Sequence, residues 1–281
     1  MSKLKHLLRS ICDGSLPIRI YNRFLKVPYV PQTEITSAQL LAKNYPDDGW
    51  KKMTPEAQGA WCKYSPVFQG ANISSIVHVG ANDGGMSIAL NGAFPGMQFF
   101  LIEPLPHVFQ KLENNIRGLS NIRATNLAAG ATEDSLEMNV DEHSMFSSLL
   151  PYDPLALKEY PQLRAREKIK VLVQPLDKII STQNIQTVDL LIIDVQGYED
   201  AVLAGAPNVL ASCKVVICEL TLQNLYQGTS TFDSVYQKLG QAGFKLKFLL
   251  SPMRGSGNYI LQIDGVFIRD SIDDKSPLSQ P

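Results

Sequence analysis

Charge of one sign is what this sequence most plainly lacks. Its 26 Lys and Arg stand against 27 Asp and Glu, a net charge of −1, so nothing gives it the electrostatic footprint of a nucleic-acid partner. Nor does it have a long apolar run. No stretch approaches the ~18 consecutive apolar residues of a transmembrane segment. Cysteine is scarce as well. Cys12, Cys62, Cys213 and Cys218 form no CxxC pair and no zinc spacing, which fits reduced thiols and a cytoplasmic location. The start has no apolar core followed by a small-residue cleavage site, so it does not read as a signal peptide. Leu4, Leu7, Leu8 and Ile11, with Lys3, Lys5, His6 and Arg9 beside them, suit a helix packed on the main body or one lying on a membrane surface. Internal repeats are absent. What remains is 44% hydrophobic and 19% charged, the composition of a globular protein of one domain, with or without an appendage.

The most informative stretch runs from Ile76 to Pro104. Ile76 to Val79 is a short apolar run of the kind covered on both faces in a parallel sheet. Gly80 and Gly84 allow a tight strand-to-helix turn, a helix follows over about 86–93, and a second apolar run ends at Glu103. This acid lies 23 residues past Gly80, close to the roughly 20-residue spacing at which doubly wound sheets place a ribose-binding carboxylate. The dinucleotide fingerprint needs a second glycine where backbone approaches a pyrophosphate. Here Asn82 takes that place and Asp83 adds a negative charge. Two phosphates would be badly served, whereas S-adenosylmethionine has an adenosine, an amino acid and a positive sulfonium. The helix start beyond Gly84 favours that ligand's carboxylate, and Glu103 can accept from its ribose hydroxyls. An ordinary strand-turn-helix would use the same turn residues.

Along the rest of the chain, residues 1–70 show no strand alternation. Pro17, Pro28, Pro31, Pro46, Pro55 and Pro66 are expected to cut that region into short helices, read as a helical cap over the crevice, with Trp50, Trp61, Tyr45 and Tyr64 either lining it or anchoring its packing. Thr54, Pro55 and Glu56 mark one helix start. Residues 71–270 form the strand-helix domain and 271–281 a polar tail. Within the domain, 106–117 reads as a helix stopped by Gly118, and Ile122 to Leu127 as a third strand. Ala128, Ala129 and Gly130 open a turn that leaves room for adenine. A further strand covers 136–140, an edge strand 169–173 and a short helix 176–180. Val188 to Ile193 is the strongest central strand and ends on Asp194. Val215 to Cys218 ends on Glu219. A helix over 231–242, stopped by Gly243, precedes an antiparallel hairpin of 244–250 and 259–268. The architecture is α/β, a doubly wound sheet with an antiparallel edge.

At these residues the chain resembles the FkbM-type S-adenosylmethionine-dependent methyltransferases. The matching pieces, in the family's order, are His78 to Gly84, Ile102 to Pro106 with Phe109 and Leu112, Asn126 to Ala128, Phe146 to Leu149, Pro175 to Asp177, Val188 to Glu199, and Cys218-Glu219. Together they span about residues 72–269. The resemblance implies a Rossmann-like seven-stranded methyltransferase sheet and methylation of hydroxyl groups, often on sugars or natural products. His78 stands where the family usually has aspartate, and Ile192 and Gln196 where lysine and glutamate are common.

The expected function is therefore O-methyl transfer to a hydroxyl of a glycan, nucleotide sugar or small natural product. The donor S-adenosylmethionine is placed over His78, Gly80, Asn82, Asp83, Gly84, Glu103, Pro104, Ala128 and Asp194. The acceptor is a small molecule or carbohydrate, with no nucleic-acid partner and no metal ligands assigned. For the chemistry the candidates are Asp194, His143 and Glu219. Asp194 ends a central strand at the crevice, or else caps the next helix. Histidine as a residue type suits a neutral-pH base, which makes His143 a candidate, or else it is a surface-loop residue. Glu219 can hold an acceptor hydroxyl. Two rivals stay open: a non-catalytic ligand-binding domain of the same fold, motivated by His78 and Gln196, and an NAD-dependent oxidoreductase, disfavoured by Asn82-Asp83 and the lack of a clear Tyr-x-x-x-Lys pair.

Overall fold

The computed structural model describes residues 53–270. A seven-stranded sheet forms its centre, in the order β3-β2-β1-β7-β8-β10-β9. The strands are β1 (Ser75–Val79), β2 (Gln98–Ile102), β3 (Ile122–Thr125), β7 (Leu190–Ile193), β8 (Val215–Thr221), β9 (Phe244–Arg254) and β10 (Ile260–Arg269). β3, β2, β1, β7 and β8 are parallel. β10 joins β8 antiparallel and turns back into β9. This is the Rossmann-like doubly wound sheet with an antiparallel C-terminal hairpin that the sequence predicts.

Helices cover both faces, which is why β1 and β7 are buried along their whole length and consist of apolar residues with scarcely a break. On one face lie α1 (Pro55–Gly70), α2 (Gly85–Ala93) and α3 (Pro106–Asn115). Tyr64 and Val67 of α1, Leu90 of α2 and Leu112 of α3 pack there against Ile76, Ile192 and Ile217. The other face carries α5 (Leu176–Thr182), α6 (Glu199–Ala204), α7 (Pro207–Ser212) and α8 (Phe232–Gln241). Ile179, Val202, Val209 and Leu239 meet Val77, Val79, Leu191 and Val216 on that side. Among the described residues no helix is long and apolar enough to cross a membrane.

Helix α1 begins where the sequence places a start. Thr54 caps it by accepting from the Ala57 amide at 3.3 Å, with Pro55 in the first turn. It then runs past position 66, where a proline was expected to end it. Burial of Trp61 and Tyr64 on the body of the protein outweighs the lost backbone hydrogen bond, as tertiary packing commonly does. Both aromatics are packing anchors, and neither lines the central cavity. Trp50, Tyr45 and the rest of 1–52 lie outside the described residues, as does the tail 271–281.

Two strand expectations need correction. Ala128–Gly130 is a strand, β4, and not a turn, and 169–173 belongs to a longer strand, β6 (Ala165–Pro175), that is not an edge. A second sheet of order β4-β6-β5, with β5 at Asp134–Asp141, places β6 in its middle. β6 buries Val171 and Val173 against Ala128, Met138 and Val140 and leaves its other face in solvent. That alternation belongs to a one-sided sheet and does not tell a central strand from an edge. α4 (Pro154–Glu159) follows β5.

Below the sheet, one acid ties three segments together. Asp189, just before β7, accepts from the Ser74 amide (2.8 Å), the Ser74 hydroxyl (2.7 Å) and the Ser75 amide (3.2 Å), and pairs with Lys214 at 2.8 Å. Burial pushes its carboxyl up, but Lys214 and the Ser74 donors together bring it down from 3.8 to about 2. A depressed acid contributes stability that is present above its unfolded pKa and lost as pH falls through the folded one. Asp189→Asn is expected to cost about 2 kcal/mol at pH 7. The gap in melting temperature between wild type and variant should close as pH falls from about 4 toward 2, a difference that thermal melts at several pH values will read.

Candidate active site

The sheet changes direction between β1 and β7, and ligands of open α/β sheets bind beyond the carboxyl ends of strands at such a switch point. A cavity of about 530 Å³ opens there, within the range of small-molecule sites. Its floor is the turn after β1. The amides of Gly80 and Ala81 both donate to the Ile102 carbonyl, at 2.9 and 3.1 Å. Gly80 has φ +80°, and a Cβ there would lie 1.8 Å from the carbonyl oxygen of Asp194; only glycine fits. Asn82 is also left-handed, φ +50°, a region that Asn tolerates better than most residues.

Glu103 holds this turn against the end of β2. One of its carboxylate oxygens accepts the Asn82 amide and the other the Leu105 amide, both at 2.9 Å. It is 5% exposed, and burial pushes its carboxyl up to about 7, opposed by the two amide donors and reinforced by the charge of Asp194. Each oxygen keeps a second lone pair for a ligand hydroxyl. Asn126 fastens the same corner by donating to the carbonyls of Glu103 and Pro104, at 2.8 and 2.9 Å.

His78, Gly80, Asn82, Asp83, Glu103, Pro104, Ala128, His143 and Asp194 all line the cavity; Gly84 and Glu219 do not. Gly84 serves the fold, as the left-handed cap of α2 seated near Leu101, Leu112 and Ile116. Asp83 is exposed and caps the start of α2 by accepting the Gly85 amide at 3.0 Å. The buried His78 shares a 2.9 Å hydrogen bond with Ser87 of α2, and burial lowers its pKa to about 4, so it is neutral at pH 7. His143 is exposed on the 142–147 loop, whose amide at 143 donates to Asp141 at 2.9 Å. From the next residue, the Ser144 hydroxyl reaches across to the Asn82 side chain at 3.1 Å.

Asp194 does not cap α6, which has no side-chain cap. Its carboxylate accepts the Gln196 amide group at 2.7 Å. Behind it stands a row of acids. Glu219 on β8 pairs in register with Asp264 on β10, and Lys63 of α1 bridges to Asp264 at 2.9 Å. Glu219 accepts from Gln262 at 2.7 Å, and the fully buried Glu199 accepts the Gly197 amide at 2.9 Å. Burial and then the charge of Asp264 raise the Asp194 carboxyl to about 6, while Gln196 and Lys63 hold it down. Burial and the charges of Asp194, Glu199 and Asp264 push Glu219 well above the usual range. Sequence reasoning missed Asp264, Gln262 and Lys63. The signal for the first two was there: two polar residues inside the otherwise apolar run that closes the sheet.

A cavity at the switch point with a buried ribose-type acid invites comparison with known proteins. Residues 78–246, more than half of the chain, match the model of the methyltransferase FkbM domain. The chain belongs to the FkbM methyltransferase family. The cofactor of this FkbM domain is S-adenosylmethionine. The 2-O-methyltransferase NoeI of Sinorhizobium fredii (strain NBRC 101917 / NGR234) is 27% identical over 159 residues, which cover 54% of this chain and 65% of that protein. The match thus spans a little under two thirds of the curated relative's length. Among solved structures, Aeropyrum pernix fibrillarin with natively bound S-adenosyl-L-methionine matches at TM-score 0.43 and 12% identity, over 71% of this chain and 68% of the other. The mitomycin 7-O-methyltransferase MmcR matches at 0.40 and 17%, over 84% and 61%. Likenesses of this order decide nothing beyond what the family and the site establish.

Proposed function

We propose that the protein transfers a methyl group to a hydroxyl oxygen of a small-molecule or carbohydrate acceptor. The observation that carries this reading is Asp194, a cavity-facing acid at the carboxyl end of β7 that neither caps a helix nor pairs directly with a cation in the described structure. The cavity suits the donor. Glu103 is a buried carboxylate with free lone pairs and no cation compensating it, as ribose hydroxyls require. The Gly80 turn keeps side-chain atoms out of the floor, and Leu127, Ala128, Ala129, Met138 and Leu149 offer an apolar wall to a flat base. When bound, S-adenosylmethionine supplies an electrophilic methyl carbon on a sulfonium.

The chain's own residues then have three tasks. Glu103 and the turn 80–83 fix the donor. Asp194 accepts the acceptor's hydroxyl proton, for which a carboxyl near pH 6 is suited. The 142–147 loop and the wall of the small sheet keep water out, so that two aligned reactants meet in one encounter. The relative's name, a 2-O-methyltransferase, supports an oxygen acceptor. The free thiols Cys62, Cys213 and Cys218 suit a cytoplasmic protein.

Calorimetry with S-adenosylhomocysteine, with NAD as control, tests the donor assignment. A saturable signal for the first and none for the second is expected. Well-folded protein that binds neither would overturn the reading and leave a domain that keeps only the fold; binding of NAD would restore the oxidoreductase.

A further inference from the structure

Gln196 is the residue that the proposed chemistry leaves without a task, and its surroundings are unusually constrained. Its backbone is left-handed, φ +55°, a conformation that is strained for a non-glycine residue. The Ser148 hydroxyl donates to its carbonyl at 2.7 Å. The Tyr226 hydroxyl donates to its side-chain oxygen at 2.9 Å. Its side-chain nitrogen faces two carboxylates, Asp194 at 2.7 Å and Glu219 at 3.5 Å. The amide has one sensible orientation. Reversed, it would point an oxygen at two carboxylate oxygens.

We propose that Gln196 is a positioning residue for the transfer: clamped by Tyr226, its amide aims the Asp194 carboxylate at the cavity and shields it from Glu219. This rests on Asp194 being the proton acceptor. The groups facing Asp194 come from every neighbouring element: Glu103 at the end of β2, Glu199 on α6, Glu219 on β8, Asp264 on β10, Lys63 and Tyr64 on α1, and Tyr226 after β8. Lys63 is the single cation of this set and is engaged with Asp264. The amide of Gln196 is therefore the donor that meets Asp194 directly. A glutamate at 196 would place another carboxylate among these acids, so glutamine is not a neutral replacement for the residue common in the family.

The test follows the Asp194 carboxyl itself, by carbon-13 NMR titration of protein labelled at aspartate carboxyls, with Asp194→Asn assigning the signal. Gln196→Ala should raise its midpoint by about one pH unit, and Gln196→Glu by more. Tyr226→Phe should shift it the same way by less; Tyr152 still donates to the Phe146 carbonyl that Tyr226 also touches, so this variant keeps the loop. S-adenosylhomocysteine affinity should stay within about threefold in Gln196→Ala and Tyr226→Phe, because Glu103 and the turn 80–83, which fix the donor in this reading, are untouched. A midpoint that does not move in Gln196→Ala or Tyr226→Phe, whatever happens to the melting temperature, overturns the positioning role and makes Gln196 a structural residue. Full turnover in Asp194→Asn would instead overturn the proton acceptor, a separate failure.

Discussion

Asp194→Asn is expected to fold and to transfer methyl groups about 10²–10⁴-fold more slowly, the usual worth of a positioned base. On the barrier this is about 3–5 kcal/mol. Asparagine keeps an oxygen for Gln196 to donate to at the same position, so the network around it survives. What it loses is the charge and the capacity to take a proton. Single-turnover transfer from labelled donor to a hydroxyl acceptor is the measurement, and a variant within a few-fold of wild type would remove Asp194 from the chemistry.

The pH dependence has a definite sign. The folded-state pKa of about 6 lies above the ordinary 3.8, so Asp194 becomes competent as pH rises through about 6, and the rate should climb along that limb. A raised acid also lowers stability as pH rises from its unfolded pKa through its folded one. The variant, with one charge fewer beside Glu219 and Asp264, should melt at or above the wild-type temperature at pH 7. Loss of activity with gained stability is the pattern of a residue retained for function.

Glu103→Ala is the second large effect. It removes two acceptor atoms from the ligand side and at the same time leaves the Asn82 and Leu105 amides without their partner. Hydrogen bonds to a charged group contribute about 1.5–3 kcal/mol each, so calorimetry should show S-adenosylhomocysteine binding at least about 100-fold weaker. Stability should fall by about 2 kcal/mol, because the turn loses its tie to β2. Glu103→Gln should fall in between, since its NH₂ group meets an amide N–H that needs an acceptor. Normal binding by the alanine variant would take the ribose assignment away from Glu103.

How much of this was legible in the sequence follows from the range over which each interaction acts. The half of the sheet around β1 and β2 was readable because its signals are local: an apolar run, a turn that needs glycine, an acid at a fixed spacing. Asp194 was readable for the same reason, closing its own strand; Glu219 was readable as an acid on β8, although that strand runs two residues past it to Thr221. Gly84 shows the limit of that logic, since a glycine beside a ligand and a glycine capping a helix look alike in one dimension. The small sheet was harder. β4 is three residues long and gains strand character only from β6, some forty positions later. Lys63 and Asp264, 201 residues apart, meet because α1 lies over the end of β10, and no local pattern announces a partner at that distance. Gln196 looked like a lost carboxylate in the sequence; in the fold it is the donor between two that remain.

The contact between Gly80 and residue 194 also governs how the cavity exchanges its contents. The backbone at 194 presses on the turn where a Cβ would stand, and its amide donates to the Val79 carbonyl at 3.0 Å. In the proposed reading, floor and base therefore sit on one hydrogen-bonded piece. Entry of a fresh donor and escape of the spent one would then fall to the 142–147 loop, held to the floor by the Ser144–Asn82 hydrogen bond and carrying the 62% exposed Met145. Loop openings of this kind run from nanoseconds to milliseconds. In that reading, exchange of the donor would leave the alignment of floor and base undisturbed.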